Sequence, residues 1–230
     1  MRERRIASWD VLLTKKRLTV MRTKLKITTK YALWAFLLMA IVNAPISGIL
    51  WIGKHIVSLP VNDSLEIMHK HGLSYIFILT CLIAPCVEEF LFRYPITLER
   101  KVLLKSFIFG MLLLFVLAFY GQNESSFVWI ILSNLCLVSI ILYYARKEYS
   151  PKAQAIAGYI SIAAFTLLHM TNYTGLHWNN FIFTFLQIAP LGILAFFLNK
   201  VRVQCGLIYC IGMHGVYNLI VFIMTLPMIK

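Results

Sequence analysis

Acidic residues are scarce in this chain: nine Asp and Glu in 230 residues, with Asp10 and Asp63 the only aspartates. Both aspartates fall outside the apolar stretches, which excludes a catalytic dyad built from two intramembrane Asp. No H-E-x-x-H run occurs, so the usual helical zinc-protease motif is excluded. A serine nucleophile on a G-x-S-type turn with a histidine base is not seen in any apolar stretch. The five cysteines (Cys81, Cys86, Cys136, Cys205 and Cys210) form no C-x-x-C pair. All lie within or at the ends of apolar runs and are expected to behave as small hydrophobes. Low-complexity tracts and clear repeats are missing, and a cleavable signal peptide is not expected, because the first apolar run starts too far in and is too long.

What the chain has instead is apolar bulk. Hydrophobic residues make up 60% of it, and its mean hydropathy is +0.78. A soluble domain of this length lacks the interior to hide so much apolar surface. A membrane-crossing helix takes about 20 mainly apolar residues. Seven such stretches are visible, at about 32–53, 73–96, 103–120, 127–145, 153–172, 180–198 and 205–226. They are continuously apolar and do not alternate, which argues against a β-barrel. The expected fold is all-α, a polytopic transmembrane helical bundle of about seven spans. Residues 1–30 would form a basic cytoplasmic segment, either an interfacial helix or a solvated tail, ahead of a transmembrane domain at 31–230.

A net charge of +13 would suit nucleic acid, but its placement does not. Ten of the 22 Lys and Arg lie in residues 1–30. With seven spans and a cytoplasmic N-terminus, 19 of the 22 fall on the inner side, leaving Lys54, Lys70 and Lys230 outside. The positive-inside rule explains such a bias, so the partner expected is the bilayer with its anionic lipid, not nucleic acid. A multi-pass protein of a bacterial plasma membrane is the expected setting.

Glu88 and Glu89 are the only acidic residues inside any of these spans. A charge at the bilayer centre costs roughly 2.5–3.5 kcal/mol on insertion scales, so adjacent carboxylates there require a partner or a function. Arg93, four residues beyond Glu89, shares its helix face and can hold it ionised. Glu88 points about 100° away on an ideal helix, so the two carboxylates need not share a partner, and Glu88 is free to face a cavity as a base. His169, His214 and Asn218 are polar residues of other spans that can complete a site, His214 and Asn218 again being four apart. Helix arithmetic places His169 about 10 Å deeper than suits a shared site. Among the prolines that interrupt spans, Pro45, Pro85 and Pro190, Pro85 is expected to open the backbone next to Glu88 and admit water. Phe165 and Phe92 are expected to pack.

Three segments also resemble a known family. Glu88-Glu89-Phe90-Leu91-Phe92-Arg93 is similar to E-E-x-x-x-R, Phe165-Thr-Leu-Leu-His169 to F-x-x-x-H, and His214-Gly-Val-Tyr-Asn218 to H-x-x-x-N. In this order they resemble the motifs of the CAAX-protease and bacteriocin-processing (CPBP, or Abi) intramembrane endopeptidases, over about residues 75–222. Tyr94-Pro95 stands where many members carry Gly after the arginine. The resemblance implies a glutamate-dependent peptidase acting on a membrane-associated protein or peptide, prenylated or leader-bearing. Glu88 would be the base, with His169 positioning the water or Glu88. His214 and Asn218 would stabilise the oxyanion, and Glu89 and Arg93 would support the site. No metal or cofactor is required in this mechanism. Two alternatives use the same residues: zinc held by Glu88, His169 and His214, and a non-proteolytic immunity or regulatory protein.

Overall fold

A computed structural model of the protein describes residues 2–62, 70, 72–97, 100–119, 151–174 and 177–229. The expected span at 127–145 with Cys136, and the Asp63–Glu66 segment read as a short interfacial helix, lie outside the described residues.

The described chain is helical. Its helices are α1 (Arg2–Gly53), α2 (Leu73–Thr97), α3 (Arg100–Phe119), α4 (Pro151–Leu168), α5 (Phe181–Cys205) and α6 (Leu207–Thr225). Four stretches among the described residues are long and apolar enough to cross a membrane: Lys16–Gly53, Leu73–Thr97, Phe181–Cys205 and Leu207–Thr225. Lys152–Leu168 is apolar but shorter.

α1 has 52 residues and runs through residue 30 without a break, so the basic segment and the first span are one element. The reason is local: no Pro or Gly occurs before Pro45, and Leu, Lys, Arg and Ala favour helix throughout. At about 1.5 Å per residue the helix is about 78 Å long, against about 30 Å of bilayer hydrocarbon. Its cationic half therefore projects well beyond any span formed by its apolar half.

α5 is the central element, packed against α1, α4 and α6. One apolar cluster (Ala35, Met39, Leu194, Leu198, Val201 and Met213 among its members) joins α1, α5 and α6. A second (Leu91, Phe92, Leu103, Ala157, Phe165 and Ala195) joins α2, α3, α4 and α5. Glu89 and Arg93 are fully buried at 0% exposure, while Leu33 is 67% and Ile208 73% exposed. Charge inside and bare apolar surface outside is the arrangement of a protein whose outer solvent is lipid.

Two loops meet at one end of the bundle. Val61–Asn62 (β1) pairs antiparallel with Tyr173–Thr174 (β2), Val61 opposite Thr174 and Asn62 opposite Tyr173. Nearby, Asn180 Nδ2 donates to the Ser58 carbonyl at 3.0 Å. The segment after α1 and the segment after α4 thus stand together, which brings the far ends of those helices to the same side.

Candidate functional site

Helix α2 is not uniform, and two prolines are the cause. It is π-helical at Leu79–Ile83 and again at Glu89–Arg93, with a five-residue α-helical segment, Ala84–Glu88, between them and a 3₁₀ turn at Tyr94–Thr97. In the first π turn Ala84 N–H donates to Leu79 O, and the next donor in that ladder would be residue 85. Pro85 has no N–H, which leaves Thr80 O without its backbone donor. Asn218 Nδ2 of α6 donates to Thr80 O instead, at 2.7 Å. The pattern repeats one π turn later: Tyr94 N–H donates to Glu89 O, Pro95 offers nothing to Phe90 O, and Ser106 Oγ of α3 donates to it at 3.3 Å. Ser161 Oγ caps Phe92 O at 2.7 Å, and Arg202 reaches Arg93 O at 3.2 Å and Tyr94 O at 3.4 Å. Every carbonyl freed in this way is met by a side chain from a neighbouring helix. π turns inside helices often accompany function; here one precedes the glutamate pair and the other begins at Glu89 itself.

The α6 surface is shaped to this irregular backbone. A Cβ on Gly215 would lie 3.0 Å from Cys81 O, so glycine there lets α6 approach the first π turn. That approach carries His214 to the glutamates. His214 Nδ1 lies 2.8 Å from Glu89 Oε1, and its Nε2 lies 3.7 Å from Glu88 Oε2. One imidazole thus faces both carboxylates. The ideal-helix reading allowed them separate partners; here the two nitrogens of one ring each stand nearest a different carboxylate. A carboxylate only accepts, so Nδ1 carries the proton, and in the neutral ring the Nε2 lone pair faces Glu88.

Glu89 has three neighbours. Besides His214, Arg93 Nη1 lies 3.4 Å from Oε1, and Cys210 Sγ donates to Oε2 at 2.8 Å. Glu88 differs: its side chain keeps 24% exposure, and its Oε2 is buried with no hydrogen bond among the described residues. The two neighbours in sequence are therefore unequal in the fold, Glu89 enclosed and Glu88 open.

Phe165 links the remaining members. Its buried ring lies 3.8 Å from the Arg93 guanidinium carbon, a cation–π contact. Ring centroids of His169 and His214 stand 4.5 Å and 5.8 Å from it. His169 opens the 3₁₀ turn after α4, and its Nδ1 donates to Phe165 O at 2.7 Å, so its Nε2 is also left unprotonated in the neutral ring. It shares the Phe165 ring with His214 and Arg93 despite the depth difference expected from helix counting.

The structure thus brings Arg93, His169 and His214 to Phe165 and Glu88 and Glu89 to His214, with Asn218 one turn along α6 and bonded to the α2 backbone. Cys210 and Phe165, read from the sequence as filler, are polar and cation–π partners of the site. Cys210 stands four residues before His214, a spacing that signals a shared face. Among the described residues no group of three or more His, Cys, Asp or Glu has the geometry to hold a metal ion. No protein-family description, no curated protein and no solved structure matches this chain.

Proposed function

We propose that this protein is an intramembrane endopeptidase that uses Glu88 to activate water, as the likeness to the CPBP enzymes suggests. The observation that carries the reading is the relay Glu89–His214–Glu88. Glu89 fixes the proton of His214 on Nδ1. Nε2 and Glu88 Oε2 are then two acceptors 3.7 Å apart, too far for a direct bond and suitably spaced to share one water. Such a water donates a hydrogen to each and turns its lone pair outward. Glu88 takes its proton as the oxygen attacks the scissile carbonyl, and later gives that proton to the leaving amine. His169, held against the Phe165 ring that also meets His214, positions the water or Glu88. The free amide hydrogen of Asn218 serves the developing oxyanion, a role worth roughly 3–4 kcal/mol in other enzymes.

In this reading the chain crosses the membrane about seven times, with its N-terminus in the cytoplasm, and its substrate is a membrane-associated protein or peptide. The test is Glu88→Gln in proteoliposomes, assayed with an internally quenched lipopeptide. A fall of at least about 100-fold in kcat, with unfolding unchanged, is expected. Cleavage at the parent rate by Glu88→Gln would remove Glu88 from the mechanism.

A further inference from the structure

We propose that Cys210 is a positioning residue, whose thiol fixes the Glu89 carboxylate and through it the proton and orientation of His214. Its two candidate acceptors are Glu89 Oε2 at 2.8 Å and Leu198 O at 3.2 Å. A thiol has one proton. Leu198 O lies inside α5 and is served by its own helix, whereas Glu89 is a buried carboxylate, the stronger acceptor, and its Oε2 takes neither the His214 nor the Arg93 contact. The proton therefore goes to Glu89.

Cys210 and His214 are four apart on α6, and each takes a different oxygen of Glu89. A carboxylate held at both oxygens from one rigid helix face cannot rotate. Its Oε1 then presents one fixed acceptor to His214 Nδ1, which keeps Nε2 aimed at Glu88. Arg93, at 3.4 Å and stacked on Phe165, supplies charge to Glu89 without that directionality. Cysteine suits the place because a serine hydroxyl in a helix tends to bond back to the carbonyl four residues earlier. At position 210 that is Gly206 O, which Cys210 N–H already reaches at 3.3 Å. The role concerns the same site as the peptidase reading, and its catalytic consequence rests on that reading; the hydrogen bond itself does not.

The experiment therefore has an arm without substrate. Infrared spectra of the purified full-length protein resolve S–H stretching bands, and Cys210→Ala identifies the Cys210 band by its loss. That band is expected below the band of the exposed Cys86 and should rise in Glu89→Gln. A band indifferent to Glu89→Gln would mean that the thiol donates to Leu198 O, and the proposal would be wrong. If Glu89→Gln does not fold, ¹³C-glutamate labelling of the parent and Cys210→Ala gives the same information: a Glu89 carboxylate band that does not move on loss of the thiol overturns the proposal. In ¹⁵N-histidine spectra, His214 should be a single Nδ1–H tautomer in the parent and a mixture in Cys210→Ala. With the lipopeptide, Cys210→Ala should lose roughly ten-fold in kcat at little change in KM, and Cys210→Ser should recover part of it. Parent-like kcat in Cys210→Ala would also overturn the role. If the spectra behave as expected and the parent itself cleaves nothing, the positioning contact stands and the peptidase reading falls.

Discussion

A charged pair closed off from solvent gains its Coulomb energy only while both members are present. Glu89 and Arg93 are both fully buried, so removing either strands the other. Arg93→Met is expected to cost about 3–5 kcal/mol in unfolding measurements, and adding Glu89→Gln to it should return much of that loss. Phe165 contributes separately through its ring face. Phe165→Leu keeps the bulk but gives up the contact with Arg93, an expected loss of roughly 1–2 kcal/mol by the same measurement. The Glu89–Arg93 pair was visible in the four-residue spacing. That Arg93 would hold Glu89 and leave Glu88 free was legible too; that one imidazole would face both carboxylates was not, because it depends on what a neighbouring helix brings to them.

At the scale of elements, the sequence marks where α2 is irregular but not how the irregularity is resolved. Pro85 and Pro95 each remove a donor, and the carbonyls left over are met by Asn218 and Ser106 from other helices. Asn218→Ala is accordingly expected to cost about 1–3 kcal/mol, the cost of a buried acceptor left unpaired. The cost should shrink in a Pro85→Ala background, where an N–H is restored to the ladder; a double-mutant cycle measures the difference. Gly215→Ala should destabilise by about 1–3 kcal/mol, because a Cβ there would stand 3.0 Å from Cys81 O and push α6 away from the glutamates. The His214–Asn218 spacing signalled a common helix face. That one member would meet the carboxylates and the other a proline-freed carbonyl depends on α2, which no local pattern in α6 encodes.

For the molecule as a whole, orientation and metal independence are the open expectations. With the N-terminus inside, Lys16→Cys and Trp178→Cys in a cysteine-free background should be labelled by an impermeant maleimide from opposite sides of the membrane. Labelling from the same side would overturn the assigned topology. Peptidase activity, once measured with the lipopeptide, should survive strict chelation unchanged. A loss restored by zinc would instead favour the metal alternative built on Glu88, His169 and His214.

Sequence alone dictated a helical chain with stretches suited to a membrane, because 60% apolar residues gathered in continuous runs are hard to bury in water, and four described helices are long and apolar enough to cross a bilayer. The same scarcity of acid that made Glu88 and Glu89 conspicuous also made them legible as a site, since intramembrane charge is too costly to be casual. Packing decided the rest. Only when α6 lies against the π turns of α2 does one imidazole face two carboxylates and a thiol become a donor, and only with α4 against the same helix does a phenylalanine become a seat for arginine. Those properties belong to distances between helices remote in the chain, and side-chain chemistry acquires direction only once such distances are set.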